Sequence, residues 1–217
     1  MKSTILLDLD GTLVDSRPGI VSSQLAALGE LGHDPALAGD LTWAVGPPLV
    51  EVFTRLLGQY GDTRVDAGID AYRAHYGSSG IYHSPLYPGI AEMIEALYLA
   101  GHELLVATAK RRDFALRIIE RHELLPRFLG VYGSEPGGAL DDKADLIAHI
   151  MVRENLAAAS CVMVGDRSHD IVAGHANRMP TIGVAWGYGG AVELTAAGAD
   201  IIIDHPADLL SPIASPG

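Results

Sequence analysis

The chain has little cysteine, little positive charge and no long apolar run. Cys161 is its only cysteine among 217 residues. That excludes an internal disulfide framework and a cysteine-built zinc site. It sits in the apolar run Cys161-Val162-Met163-Val164, the setting of a buried structural thiol rather than a nucleophile. Lysine and arginine number 15 against 27 acids, a net charge of −12. This balance argues against binding a nucleic-acid polymer, which takes clustered cations. It still admits a small phosphorylated metabolite, because a bound metal reverses the sign locally. No apolar stretch is long enough to span a bilayer. Met1-Lys2-Ser3-Thr4 leads directly into an apolar segment without the pattern of a signal peptide. The expectation is a cytoplasmic protein, monomeric or homodimeric, with no membrane contact. No internal repeat is visible, and the tail from Ser211 to Gly217 reads as loose.

What is present is the composition of a folded protein, 48% hydrophobic and 19% charged. The first motif is Asp8-Leu9-Asp10-Gly11-Thr12, after the apolar run Ile5 to Leu7. A strand over Ile5 to Leu9 would send Asp8 and Asp10 out on the same side. Two like charges that close need a cation or a proton. Residues 16 to about 85 then read as helical throughout. Helices are expected from Pro18 to Gly32, over Leu49 to Leu57 and over Asp66 to His75.

From Pro88 the periods alternate. Strands are expected at Glu103–Thr108, Phe128–Tyr132, Cys161–Val164, Thr181–Ala185 and Ile201–Ile203. Helices are expected at Ile90–Ala100, Asp113–Glu123, Asp142–Asn155, Ser168–Asn177 and Ala191–Ala197. Such alternation predicts an α/β fold, a doubly wound parallel sheet. The first strand lacks a partner in the helical stretch. Residues 1–15 and 86–217 therefore form the expected core domain, with 16–85 inserted as a small helical domain.

Open parallel sheets bind ligands beyond the carboxyl ends of their strands. Those ends offer Asp8 and Asp10, then Thr108-Ala109-Lys110, then Gly165-Asp166 with Asp170 four residues on, while Lys143 starts a helix. Four carboxylates in one cleft call for a divalent cation, and all-oxygen ligands select magnesium or a similar hard ion. One aspartate then acts as nucleophile on a phosphoryl group and a second as acid and base. A hydroxyl and a lysine bind the phosphoryl oxygens.

This set resembles the four motifs of the haloacid dehalogenase-like hydrolases, in the same order and across nearly the whole chain. The helical insertion after the first motif resembles the cap of the subgroup that includes phosphoglycolate phosphatase. The resemblance implies a Rossmann-like core and a magnesium-dependent phosphomonoesterase working through an aspartyl-phosphate. It implies Asp8 as nucleophile and metal ligand, and Asp10 as acid/base with its backbone carbonyl on the metal. Thr108, with its neighbour Ala109, would bind the phosphoryl group, and Lys143 would orient Asp8 and the phosphate. Asp166 would ligate magnesium, with Asp170 a ligand or one step removed through water. The turn Gly46-Pro47-Pro48, near Trp43, would be the specificity loop of the cap. Ala109 departs from the pattern, since related phosphatases often carry Asn there.

Phosphoglycolate is the first substrate implied and nucleoside 5′-monophosphates, hydrolysed by 5′-nucleotidases, the next. A sugar-phosphate mutase would need basic groups in the cap, where Arg55, Arg64 and Arg73 are candidates. A phospho-acceptor signalling domain uses similar residues, but it is about half this length and phosphorylates an Asp on a middle strand. Other readings concern single residues. Lys110 is equally a phosphate contact or a solvated lysine. Arg167 is expected to pair with a surface acid, and His169 to steady Asp170. Asp141-Asp142 reads as a helix N-terminal pair, and Trp186-Gly187-Tyr188-Gly189 as a rim loop.

Overall fold

The computed structural model describes residues 3–135, 137–138 and 140–211; the tail beyond Ser211 lies outside them. The chain divides into two compact units, residues 1–15 with 86–217, and residues 16–85.

The larger unit is built on six strands: β1 Thr4–Leu7, β2 Glu103–Arg111, β3 Gly130–Ser134, β4 Cys161–Gly165, β5 Thr181–Val184 and β6 Ile201–Ile203. Their order is β3-β2-β1-β4-β5-β6, and every neighbouring pair is parallel. β1, β4 and β5 are short apolar runs buried along their whole length. That is the signature of strands covered on both faces. Among the described residues of this unit are five α-helices: Ile90–Leu99, Arg112–Arg121, Lys143–Arg153, Ser168–Ala176 and Gly190–Ala196. In chain order they are α4 to α8, because α1 to α3 belong to the smaller unit. Helix α6 shows why one face packs. Leu146, Ile147 and Ile150 recur at helical spacing and are fully buried against Leu6 of β1, Leu105 of β2 and Met163 of β4. Truncating a buried leucine there to alanine costs about 2–5 kcal/mol.

This order places the later strands on opposite sides of β1. β2 and β3 lie on one side, β4 to β6 on the other. The crossovers therefore diverge between β1 and β4, and beyond the carboxyl ends of those two strands a crevice opens, the usual ligand position in such sheets.

Two boundaries differ from expectation, and both matter for the site. β1 ends at Leu7, not Leu9. The carbonyl of Leu9 accepts from the N–H groups of Thr12, Leu13 and Val14, which closes a tight turn instead of extending the strand. Gly11 sits in that turn at φ 92°, a conformation that favours glycine. Asp8 and Asp10 thus stand beyond the strand, and alternation along a strand does not govern them. β2 runs on past Thr108 to Arg111, with a register shift against β3 between Ala107 and Arg111.

The smaller unit holds α1 Arg17–Glu30, α2 Leu49–Gly58 and α3 Val65–Ser78. Pro18 falls in the first turn of α1, where its missing N–H costs nothing. Val52, Phe53, Leu56 and Leu57 form the buried face of α2, and Ile69, Tyr72 and Tyr76 lie buried on α3. Phe53 meets Tyr72 edge-on at 5.9 Å between ring centroids. Gly46 lies at φ 111°, and Pro48 is the residue before α2, with no capping side-chain bond. The Arg55 guanidinium stacks 3.8 Å over the Trp43 ring. Arg64 is committed to Asp62 and to the carbonyl of Leu31.

Candidate active site

Asp8 follows β1 directly and Asp166 follows β4 directly, so the two carboxylates flank the point where the strand order reverses. Asp8, Asp166 and Asp170 are all buried, and one carboxylate oxygen from each lies within 4.8 Å of the others. Two of these acids are fixed by the backbone that carries them. The N–H of Asp8 donates to the carbonyl of Val164 on β4, locking the chain across the gap. Asp170 stands in the first turn of α7, where its Oδ2 accepts from the backbone N–H of Arg167 at 3.1 Å.

Lys143 enters this acidic group from the first turn of α6. Its Nζ lies 2.6 Å from Oδ1 of Asp8 and 2.9 Å from Oδ1 of Asp170. An ammonium at a helix N-terminus opposes the helix dipole, and this one is also buried. It is held there by the two carboxylates. Burial pulls Lys143 down, but the charges of Asp170 and Asp8 outweigh it and keep the ammonium above its usual range. The helix itself starts on Asp142, whose side chain accepts from the N–H groups of Ala144 and Asp145. The expected N-terminal role of the Asp141-Asp142 pair thus falls to Asp142.

Burial raises Asp8 despite the lysine beside it, and the charges of Asp170 and Asp10 add to the rise. Asp166 is pushed up to about 8, first by burial and then by the charges of Asp8 and Asp170. Its oxygens are already engaged. Oδ1 accepts from the Thr12 hydroxyl at 3.3 Å, and Oδ2 from the N–H of Tyr188 at 2.7 Å. Three carboxylates with one ammonium leave negative charge in excess, so the group fits a hard divalent cation through oxygen alone.

The space around these acids is made by glycines. A Cβ on Gly165 would lie 2.2 Å from the Asp170 carboxyl carbon, and one on Gly11 would lie 2.3 Å from Oδ2 of Asp166. The loop Trp186–Gly189 closes on the same acid. Trp186 donates to the carbonyl of Thr12 at 3.0 Å, and the Tyr188 hydroxyl to Asp15 at 3.0 Å. Of the residues expected at the site, Asp8, Lys143, Asp166 and Asp170 converge. Thr108 is buried on the neighbouring strand β2, and its hydroxyl accepts from the Lys110 N–H at 3.2 Å. Ala109 is exposed and carries no polar side-chain group. The Asp10 carboxyl stands outside the cluster of three and meets Lys110 Nζ at 2.5 Å. Lys110 is not a solvated lysine, since 7% of its side chain is exposed. Gly46, Pro47 and Pro48 belong to the smaller unit.

Single-residue expectations divide. Arg167 pairs with Glu193 at 3.0 Å, as expected of a surface partner. Asp170 is steadied by Lys143 and the Arg167 N–H, the place expected for His169. The Tyr188 N–H and the Thr12 hydroxyl hold Asp166 through contacts that residue type does not announce. The glycine spacing at 187 and 189 was the available signal, since a Cβ at Gly187 would lie 2.2 Å from Cβ of Asp166.

Residues 5–184 match the family model of the haloacid dehalogenase-like hydrolases. A 5′-nucleotidase of Pseudomonas aeruginosa is 42% identical over 193 residues, covering 88% of this chain and 86% of that one. A protein of Mycobacterium tuberculosis named tyrosine-protein kinase PtkA is 40% identical over 188 residues, covering 86% of this chain and 63% of that one. The phosphoglycolate phosphatase of Photobacterium profundum is 26% identical over 95% of this chain and 93% of its own. A crystal structure of a predicted phosphatase from Clostridium acetobutylicum superposes with a TM-score of 0.85 at 31% identity, covering 99% of both chains. The two-sided parallel sheet, the acidic group at its reversal point and the match over most of the length agree. The chain belongs to the haloacid dehalogenase-like hydrolases, as an enzyme of their phosphatase kind.

Proposed function

We propose that this enzyme is a magnesium-dependent phosphomonoesterase for a small organic phosphate, with Asp8 as its nucleophile. The observation that carries the reading is Lys143 clasped between Asp8 and Asp170 beside Asp166. This arrangement aims one carboxylate at a reacting centre and leaves room in charge for a dication. Asp8, Asp166 and Asp170 would hold the ion, with Asp10 adding its backbone carbonyl. When bound, the ion supplies positive charge that offsets repulsion between the phosphate and the attacking carboxylate.

The chain's own residues supply the rest. Lys143 holds Oδ1 of Asp8, so the other oxygen is the one presented for attack. Thr108 binds a phosphoryl oxygen through its hydroxyl hydrogen, since its oxygen already accepts from Lys110 N–H. Lys143 stabilises charge on the phosphoryl group in the transition state. Asp10 gives a proton to the leaving oxygen and later takes one from water. The smaller helical unit serves as the cap of the family, with Gly46-Pro47-Pro48 as its selecting loop. Nucleoside 5′-monophosphates are the first substrate class, supported by the 42% identical relative named for that activity. Phosphoglycolate comes second, on the more distant likeness.

A panel of both substrates with a generic aryl phosphate tests this. Magnesium-dependent phosphate release is expected, fastest on a nucleoside monophosphate. A phosphorylated protein that accumulates without release would overturn the hydrolase reading in favour of a phospho-acceptor.

A further inference from the structure

Lys110 is a second shielded ammonium, and it serves a different carboxyl from Lys143. Its Nζ lies 2.5 Å from Oδ2 of Asp10, and 7% of its side chain is exposed. The other oxygen, Oδ1 of Asp10, is enclosed and has no hydrogen-bond partner among the described residues. Asp10 is therefore a carboxyl with one oxygen shut in and the other held by a fixed charge. Turning it about its bond to Cβ would break a charge-assisted bond, the stronger kind.

The backbone around Lys110 is shaped for this contact. The register of β2 against β3 shifts between Ala107 and Arg111, and the Lys110 N–H folds back onto the Thr108 hydroxyl. On β3, a Cβ at Gly133 would lie 2.3 Å from the Lys110 carbonyl and 3.0 Å from Arg112. The bare glycine lets the turn close.

We propose that Lys110 is the positioning residue of Asp10, fixing the place of Oδ2 and with it the proton transfers at the leaving-group side. The inference rests on the phosphomonoesterase reading. In the first step the bond from Asp8 to phosphorus forms as the ester oxygen leaves, and Asp10 gives that oxygen its proton. In the second, water gives a proton to Asp10 as its oxygen bonds phosphorus and the bond to Asp8 breaks. The alcohol and phosphate are released, and both aspartates return to their starting state. Lys110 keeps its protons throughout and acts only through Asp10.

The test compares the wild type, Lys110→Met, Lys110→Arg, Asp10→Asn and the Asp10→Asn/Lys110→Met double variant. Each is assayed with magnesium on an alkyl phosphate and on p-nitrophenyl phosphate. Proton donation is worth on the order of 10²–10⁴ in rate, and a misplaced donor loses part of that. Lys110→Met is expected to lower kcat on the alkyl phosphate about tenfold or more, with KM nearly unchanged. The loss should be far smaller in the first-turnover release of p-nitrophenol from p-nitrophenyl phosphate, whose oxygen leaves without a proton, because the water step needs Asp10 with either substrate. In the Asp10→Asn background Lys110→Met should add nothing. Lys110→Arg keeps the charge and moves the donor atoms, so it should show the same leaving-group pattern at smaller size, including if Lys110→Met does not fold. Equal losses on both substrates in the first, leaving-group step, a raised KM at unchanged kcat, or a full further loss in the Asp10→Asn background would overturn the positioning role alone. A wild type that releases no phosphate would overturn the phosphomonoesterase reading, and this inference with it.

Discussion

Asp62 in the helical unit and Asp166 in the sheet unit are both fixed by hydrogen bonds, yet their ionisation moves in opposite directions. The side chain of Arg64, then its backbone N–H, then His33 hold Asp62 well below the usual carboxylate range. Its Oδ2 lies 2.6 Å from both Arg64 and His33. Burial raises Asp166, and its nearest charged neighbours include two more carboxylates. In the helical unit the fold provides a guanidinium and further hydrogen bonds for the carboxylate, and the cluster is complete as it stands. In the sheet unit Lys143 is shared by two acids, and a third is held only by a hydroxyl and an N–H. An excess of buried negative charge is costly for a fold. A site that takes a dication and an anionic substrate makes use of it.

The largest break in this contrast is at Asp8. Asp8→Asn removes the proposed nucleophile while nearly keeping its shape, and phosphate release should fall to background. Asp10→Asn should come next, slowing turnover of an alkyl phosphate by about 10²–10⁴. Lys143→Met leaves two buried carboxylates without their shared ammonium. It should abolish turnover and lower stability by about 3–5 kcal/mol, measured by urea unfolding.

A smaller effect separates the two regions by pH. Without divalent cation, folded Asp166 keeps its proton up to about 8, whereas an unfolded aspartate loses it near its ordinary value. The folded state then binds more protons, so its stability falls as pH rises through that window. The Tm of metal-free protein should therefore drop between about pH 5 and pH 8, and magnesium should lessen the drop. Asp62 runs the other way. Its contribution is present above the ordinary carboxylate range and lost as pH falls through its depressed value. Asp62→Asn should weaken the fold slightly at neutral pH and flatten its acid-side loss, with turnover unchanged. Equal pH responses of the metal-free and magnesium-loaded protein would break the contrast.

Much of the sheet was legible because its strands are uninterrupted apolar runs bounded by helical periods. The acids were legible because Asp8-x-Asp10 and Gly165-Asp166 stand at the ends of such runs, where parallel sheets bind ligands. What escaped was set by contacts between distant segments. The turn after Leu7 depends on three N–H groups converging on one carbonyl, which no strand period reveals. The N–H of Tyr188 on Asp166 spans 22 residues and leaves no trace in residue type. The pairing of Lys110 with Asp10 spans 100 residues, and residue type alone does not separate a solvated lysine from an enclosed one. The helical unit was legible as helices alone, since its polar cluster around Asp62 joins Asp62 and Arg64 to His33, 29 residues earlier.

The central claim is that Asp8 attacks phosphorus with a dication's charge beside it. Phosphate release from an aryl phosphate by wild type and Asp8→Asn, each with magnesium and with a chelator, tests it most directly. The account predicts release by the wild type with magnesium alone. Release by Asp8→Asn at the wild-type rate, or by chelated wild type, would contradict it.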